Sequence, residues 1–299
     1  MYVVTGATGN TGRVVAEALL AAGADVQVVG RSKGHLRPLV EKGAQPFIGS
    51  LDDAQTMSIA FSGAVGVYCM IPPRYEAPDF PAWQRAVGES LAAAVHEAGV
   101  NDVVFLSSIG AQHMEGTGPI AGLRREEDRL NSLEAVNVLS LRAGFFMENF
   151  FMQMDVIRGM GVVGLPMRGD VPCPLIATKD IGEYAAERLL RRDFSGKCAR
   201  ELLGPRDMTM SEATRVLGAA IEKPDLEYVQ FPFEDAERAL LEMGLSASGA
   251  STLLQLYRGF NDGLVVATEE RGPENTTATT FEEFGRVFAE VYAGGKRGR

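Results

Sequence analysis

Three glycines at a fixed spacing, close behind a short β-branched run, constrain this chain more than anything else in it. Val3, Val4 and Thr5 read as a buried parallel strand, and Gly6-Ala7-Thr8-Gly9-Asn10-Thr11-Gly12 follows at once. Apolar residues then recur at Val14, Val15, Ala18, Leu19 and Ala22, which is helical spacing. A strand that runs through a glycine turn into a helix aims free backbone N–H groups and the positive end of the helix dipole at one point, an arrangement suited to a pyrophosphate. Gly6 allows the tight turn, Gly9 the approach of the phosphates and Gly12 the packing of helix on strand. The spacing is Gly-x-x-Gly-x-x-Gly rather than the Gly-x-Gly-x-x-Gly of the usual dinucleotide fingerprint, so its weight comes from the strand and helix around it.

The rest of the first half repeats the alternation. Strands are expected at 25–29, 45–48, 65–70, 102–106 and 137–141, and helices at 36–42 and 80–98, the latter with Trp83, Val87, Leu91 and Val95 on one stripe and His96 at the surface. Strict alternation implies an α/β fold, a Rossmann-type doubly wound parallel sheet with right-handed crossovers. The run Arg124-Arg125-Glu126-Glu127-Asp128-Arg129 reads as a solvated helix face with i,i+4 pairs.

In such a sheet the ligand lies beyond the carboxyl ends of the strands. Arg31 ends the second strand, where an Asp or Glu would hold the ribose hydroxyls of NAD and an Arg would pair with the 2′-phosphate of NADP. Lys33 and Arg37 are close enough to add field, so NADP(H) is preferred over NAD(H). Asp52 stands either at the adenine amino group or, with Asp53, at a helix N-cap. Pro72 and Pro73 take the chain abruptly out of the sheet after the fourth strand.

Beyond the sixth strand the pattern changes. Residues 145–160 are rich in Phe and Met, with Phe146, Phe150 and Met154 at helical spacing, which suits either a core stripe or the wall of a site for a flat apolar substrate. Residues 159–174 carry repeated Gly and Pro and read as a flap with little regular structure. A helix from 178 and a strand at 199–203 should return to the sheet. Helices are expected over 211–221, 233–244, 248–263 and 281–292, with caps at Thr209 and at Thr279 or Thr280. The division expected is a dinucleotide-binding core over 1–156, rejoined by 177–203, and a smaller, mostly helical substrate or lid region over 157–176 and 204–299.

Composition narrows the functions. A chain of 299 residues, 46% hydrophobic, buries a large core. A net charge of -10 gives no basic excess for phosphate-backbone contacts, so nucleic acid is not expected as a partner. The basic tail Lys296, Arg297 and Arg299 reads as solvated fray. Cys69, Cys173 and Cys198 form no Cys-x-x-Cys pair, and three histidines complete a set that supports neither a disulfide framework nor a metal site. No basic leader precedes an apolar run and no segment approaches membrane-spanning length, so the expectation is a soluble, cytoplasmic protein with no membrane partner.

The stretches Thr5-Gly6-Ala7-Thr8-Gly9-Asn10-Thr11-Gly12, Leu106-Ser107-Ser108-Ile109-Gly110-Ala111 and Leu141-Arg142-Ala143-Gly144-Phe145-Phe146-Met147-Glu148-Asn149-Phe150 together resemble the NmrA-like branch of the atypical short-chain dehydrogenase/reductases. Ala177-Thr178-Lys179-Asp180-Ile181-Gly182, Leu203-Gly204-Pro205 and the segment 275–284 are similar to it in the same order. The resemblance implies a Rossmann core, an NAD(P) cofactor and a C-terminal part that closes a cleft over the nicotinamide. Members include NADPH-dependent quinone and dye reductases and redox-sensing regulators that bind a partner protein. By the same resemblance Gly6, Thr8, Gly9, Asn10, Thr11 and Gly12 hold the pyrophosphate and Arg31 the 2′-phosphate. Ser50, Leu51 and Asp52 border the adenine, Met70, Ile71 and Pro72 form the loop after strand four, and Ser107 and Ser108 end strand five. Ala143, Gly144, Phe145 and Phe146 border the nicotinamide carboxamide.

One departure is firm. Standard members of the superfamily place a Tyr and a Lys four residues apart after the strand-five Ser, but no tyrosine occurs between Tyr75 and Tyr184 and no lysine between Lys42 and Lys179. Alcohol dehydrogenation and sugar epimerisation are therefore not expected. Hydride addition to a quinone-like, enone or aromatic acceptor needs less acid–base help, with Ser108 and His113 as the candidate catalytic groups. The other reading is a non-catalytic NAD(P) sensor with a regulatory protein partner.

Overall fold

The computed structural model describes residues 1–294; the tail at Lys296, Arg297 and Arg299 lies outside them. The chain alternates from its start: β1 (Tyr2–Val4), α1 (Asn10–Ala21), β2 (Val26–Gly30), α2 (Lys33–Val40), β3 (Gln45–Ile48), α3 (Ala54–Phe61), β4 (Gly66–Cys69), α4 (Phe80–Glu97), β5 (Asp102–Ser108), α5 (Ile120–Asn131) and β6 (Asn137–Ala143). Then come β7 (Phe145–Phe146), a 3-10 helix (Met147–Gln153), α6 (Met154–Met160), β8 (Val162–Leu165), β9 (Cys173–Ile176), α7 (Thr178–Arg191) and β10 (Lys197–Leu202). The remainder holds β11 (Asp207–Met208), α8 (Met210–Ala220), β12 (Glu227–Gln230), α9 (Phe233–Glu242), α10 (Ala247–Asn261) and α11 (Phe281–Gly294).

Seven parallel strands form the central sheet in the order β10-β6-β5-β4-β1-β2-β3. The strand order reverses between β1 and β4, which opens the crevice where doubly wound sheets take nucleotides. β4 and most of β5 are buried throughout, as strands covered on both faces must be. Val15 and Leu19 of α1, Leu36 of α2 and Ile181 and Leu189 of α7 fill one face. Met57 of α3, Val87 and Leu91 of α4 and Leu130 of α5 fill the other. A third core joins Met147 and Phe150 to Leu217, Leu254, Phe260 and Phe288 of the C-terminal part. Among the described residues no helix is long and apolar enough to cross a membrane.

Three local expectations are corrected. Phe146 does not share a helical stripe with Phe150 and Met154: Phe145 and Phe146 pair with Leu175 and Ile176 as a strand, so their side chains pack into different cores. The segment 159–174 is not an irregular flap, because β8 pairs in parallel with β12, more than sixty residues away, and β9 joins β7 and β11. A Cβ on Gly164 would run into the Phe231 ring, so the glycine there marks close packing rather than a loop.

The third correction concerns the charged helix. Glu126 and Glu127 of α5 are buried, at 0% and 2% exposure, so the helix does not simply solvate its charges. Glu126 lies against Gly88 of α4, where a Cβ would come within 2.9 Å of its carboxyl carbon, and it pairs with Arg129. Its Oε1 has no hydrogen-bond partner among the described residues. Burial pushes the carboxyl up to about 8, with Arg129 pulling the other way. The folded protein therefore binds the Glu126 proton more tightly than the unfolded chain, whose value is 4.5. That contribution to stability is complete below the unfolded value and is lost as pH rises through the folded one. We expect a fall of up to about 1.4 kcal/mol per pH unit within that window. Urea midpoints at pH 5 and pH 8.5 should drop further for the wild type than for Glu126→Gln, and equal drops would contradict the assignment.

Candidate functional site

The turn between β1 and α1 is built as the glycine spacing demands. Gly6 sits at φ +61°, in the left-handed region, and a Cβ there would meet Met70 Sδ at 2.5 Å. Gly9 N donates to Gly6 O at 2.9 Å, and Gly12 packs directly on the Gly6 carbonyl. The end of β1 is stitched to β4, since Thr5 Oγ1 donates to Tyr68 O at 3.0 Å and accepts from Met70 N at 3.1 Å. The Tyr68 hydroxyl donates to Thr11 Oγ1 at 2.9 Å, and burial pushes that phenol well above its ordinary range, so it stays a donor. Gly9 is the N-cap of α1, no side chain caps the helix, and no acidic residue lies in its first turn. Exposed Thr8, Gly9 and Asn10 therefore surround N–H groups that are free to take an anion.

Arg31 follows β2, is exposed and forms no ion pair among the described residues. Lys33 opens α2 beside it, whereas Arg37 is already paired with Glu41 at 2.7 Å. Gly49 N donates to Gly30 O at 3.1 Å, which draws the loop after β3 against the end of β2 and brings Ser50, Leu51 and Asp52 next to Arg31. Asp53, not Asp52, caps α3, accepting from Thr56 N at 3.1 Å and Thr56 Oγ1 at 2.6 Å. Asp52 is left exposed in the loop, with the Ser50 hydroxyl donating to it.

On the other side of the switch point, Ile71 is buried and Pro72 O accepts from Trp83 Nε1 at 3.1 Å, so the loop after β4 is anchored to α4. The two serines ending β5 part company. Ser107 is buried and donates to Glu127 at 2.6 Å, while Ser108 is half-buried and its hydroxyl donates to Ile109 O at 3.0 Å. Ala143 lies opposite Ser108 in register, and Ile109 N donates to Ala143 O at 3.0 Å. Gly144 N donates to Leu202 O at 2.9 Å, and a Cβ on Gly144 would collide with Pro174 O, so only glycine fits the turn into Phe145. The half-buried Phe145 ring stands edge-on to Phe150 and Phe260, with centroids 6.1 and 5.9 Å away, and since those two are buried the aromatic cluster is core packing behind the turn. His113 is half-buried in the loop between β5 and α5, and its backbone N–H donates to Gly110 O. Gly110 and Gly116 of that loop press on Val265 and Leu264, and Gly118 on α10.

Two residues that brace the strand ends at the crevice escaped the sequence reading. Arg142 of β6 makes a two-pronged bond to Glu127, Nε to Oε1 at 3.0 Å and Nη2 to Oε2 at 2.6 Å, just beneath Ala143. Glu201 lies beside Arg142 in register on β10 and takes Thr268 N, Thr268 Oγ1 and Glu269 N at 2.7–2.9 Å. The strand ends at the crevice thus join the segment returning from α10. The one signal in sequence was a charged residue, Arg142, within the strand.

The residues fit a dinucleotide: a left-handed glycine, an uncapped helix end and an unpaired Arg31 lie in the order that pyrophosphate and adenosine phosphate require. This is the architecture of a dinucleotide-binding reductase fold. The chain belongs to the NmrA-like family, whose model matches residues 2–284. It is 26% identical over 294 residues to the NAD(P)H azoreductase of Xenophilus azovorans, covering 98% of this chain and 99% of that protein. Its fold matches the NADPH-dependent quinone oxidoreductase of Escherichia coli in complex with NADPH, with a TM-score of 0.81, 20% identity and coverage of 96% of this chain and 99% of that one. Triphenylmethane reductase of Citrobacter sp., complexed with NADP(H), aligns with a TM-score of 0.79 and 16% identity over 97% of this chain and 100% of that one.

Proposed function

We propose that the protein is an NADPH-dependent oxidoreductase that passes hydride to a quinone-like, enone or aromatic acceptor without a Tyr/Lys acid–base pair. The observation that carries this reading is the uncapped glycine turn of α1 with Arg31, exposed and without an ion pair among the described residues, beside it. The azoreductase, quinone oxidoreductase and triphenylmethane reductase to which the chain is similar support it. Bound NADPH supplies the hydride. The chain's work is to grip the pyrophosphate at Gly6, Thr8, Gly9, Asn10, Thr11 and Gly12 and the 2′-phosphate at Arg31, with Ser50, Leu51 and Asp52 beside the adenine. Met70, Ile71, Pro72 and the turn Ala143–Phe146 then border the nicotinamide and keep water from it. Ser108, which ends β5, and His113, in the loop that follows, are the proposed hydrogen-bond and proton donors to the acceptor. A cytoplasmic setting, in which the three free thiols stay reduced, belongs to the same proposal, as does a core over 1–156 and 177–203 with a lid over the remainder.

The test is a panel of quinones, azo and triphenylmethane dyes, enones and aldehydes, followed by NADPH oxidation. Turnover with the flat acceptors and none with simple alcohols or aldehydes is the expected pattern. Tight NADPH binding with no turnover on any acceptor would overturn the enzyme reading and favour the sensor that the missing Tyr/Lys pair suggests. Arg31→Ala is expected to weaken NADPH binding by at least ~1 kcal/mol and leave NADH nearly unchanged, since only the 2′-phosphate loses a charge-assisted contact. Equal losses for both dinucleotides in calorimetry would remove Arg31 from the phosphate site.

A further inference from the structure

The first two turns of α7 touch three parts of the molecule that the chemistry must hold in register. Gly182 lies so close to α1 that a Cβ on it would come within 2.6 Å of Val14 Cβ and 2.9 Å of Thr11 O, so α7 packs directly on the helix of the pyrophosphate turn. One turn earlier, Thr178 N donates to both carboxylate oxygens of Glu148 at 3.0 Å. Asp180, in the same turn, accepts from Thr279 N at 2.9 Å and Thr279 Oγ1 at 2.5 Å, which docks the segment leading into α11.

Glu148 is the unexpected member. The N-cap position of α7 is Ala177, which has no side chain able to cap, and the orphan N–H is satisfied instead from thirty residues upstream. A Ser, Thr or Asp at 177 would cap the helix locally with no further connection. Capping from Glu148 does something a local cap does not: it ties α7 to the 3-10 helix that continues the turn Ala143–Phe146. Burial pushes the Glu148 carboxyl above its ordinary range, Thr178 pulls it back, and Asp180 adds to the push, so the carboxylate is kept in an unfavourable place by the bonds it makes.

We infer that Glu148 is a positioning residue: it bolts the nicotinamide-side turn to α7 and thereby fixes the nicotinamide relative to the pyrophosphate held by α1. This rests on the NADPH reductase reading above. In this role Glu148 acts through the backbone of Phe145 and Phe146, to which the 3-10 helix joins it. A displacement of about 1 Å at the reacting centre is enough to slow a reaction by as much as ~100-fold without loosening binding.

Two variants cut the same bond from opposite ends. Glu148→Met keeps the length of the side chain and removes both acceptor oxygens. Thr178→Pro removes the donor while leaving the carboxylate, at a first helical position that suits proline and after a residue already extended at φ −74°, ψ 135°. The full-length proteins are compared for NADPH affinity by calorimetry, thermal midpoint, the emission spectrum of bound NADPH, and single-turnover hydride transfer from 4-deuterated and protiated NADPH to a simple naphthoquinone. The expected result for both variants is NADPH affinity within about threefold of wild type, an altered nicotinamide emission, hydride transfer at least ~10-fold slower and an unchanged KM for the quinone. Wild-type emission and hydride rate in both variants would overturn the proposal. So would a parallel loss of affinity and thermal midpoint, which would make Glu148 a helix cap and nothing more. If the wild type itself transfers no hydride, the oxidoreductase reading fails, and the emission comparison still decides the role of Glu148.

Discussion

Arg142→Ala is expected to cost about 3–5 kcal/mol of folding stability, read as a large drop in the urea midpoint, because it strands buried carboxylates beneath the crevice. Ser107, Arg142 and Glu201 are neighbours in register across β5, β6 and β10, and Glu127 reaches the same place from α5. The Arg142 side chain is 15% exposed and that of Glu127 only 3%, so water cannot replace the guanidinium. The Glu127 bond, foremost, raises the Arg142 pKa above its ordinary value against the opposing effect of burial, which marks the pair as mutually dependent. In the variant Glu127 keeps only the Ser107 hydroxyl, and Glu201 loses the cation beside it. Replacing both partners, as Glu127→Met with Arg142→Met, removes the charges together and should lose less than Arg142→Ala alone. An Arg142→Ala protein within ~1 kcal/mol of wild type would show that the network is not held out of water.

The same network shows where sequence stops being informative. Glu126 and Glu127 lie on a helix whose spacing offers i,i+4 partners, and one such pair, Arg124 with Asp128, does form at 2.9 Å. Glu126 does pair with Arg129 in its own helix, but the groups that turn the two glutamates inward are remote: Arg142 on a later strand and the bare backbone at Gly88 on an earlier helix. No local pattern announces either. The strand at 162–165 was lost for the same reason, since its mate begins at Glu227, and Glu148 is recognisable as a cap only once α7 lies beside it. By contrast the inner strand β4 and most of β5 were legible because a strand buried on both faces is close to continuously apolar. The turn proposed to hold the cofactor could be read locally too, because Gly6, Gly9, Gly12 and Arg31 fall within one β-α-β unit and their spacing is itself the geometry.

That locality makes the glycines separable by experiment. Gly12→Ala is expected to lose about 2–3 kcal/mol of NADPH binding, roughly 30- to 150-fold, together with some stability of the empty protein. Its new methyl would drive into Gly6 O and come within 2.7 Å of Gly6 C and 2.9 Å of Thr5 O, all backbone, so the turn itself has to open. Gly9 is a different case. It sits at φ −89°, ψ 177°, which any residue adopts, and a Cβ there would meet only Gly6 O at 3.3 Å. Gly9→Ala should therefore leave the thermal midpoint of the empty protein almost unchanged and weaken only the cofactor, since the space it fills is the space the phosphates are proposed to enter. Calorimetric titration with NADPH, run beside thermal denaturation of both empty variants, separates the two roles. If Gly9→Ala binds NADPH as wild type does, the phosphates do not approach the backbone at that point, and the pyrophosphate must be held from Gly12 and the first turn of α1 alone.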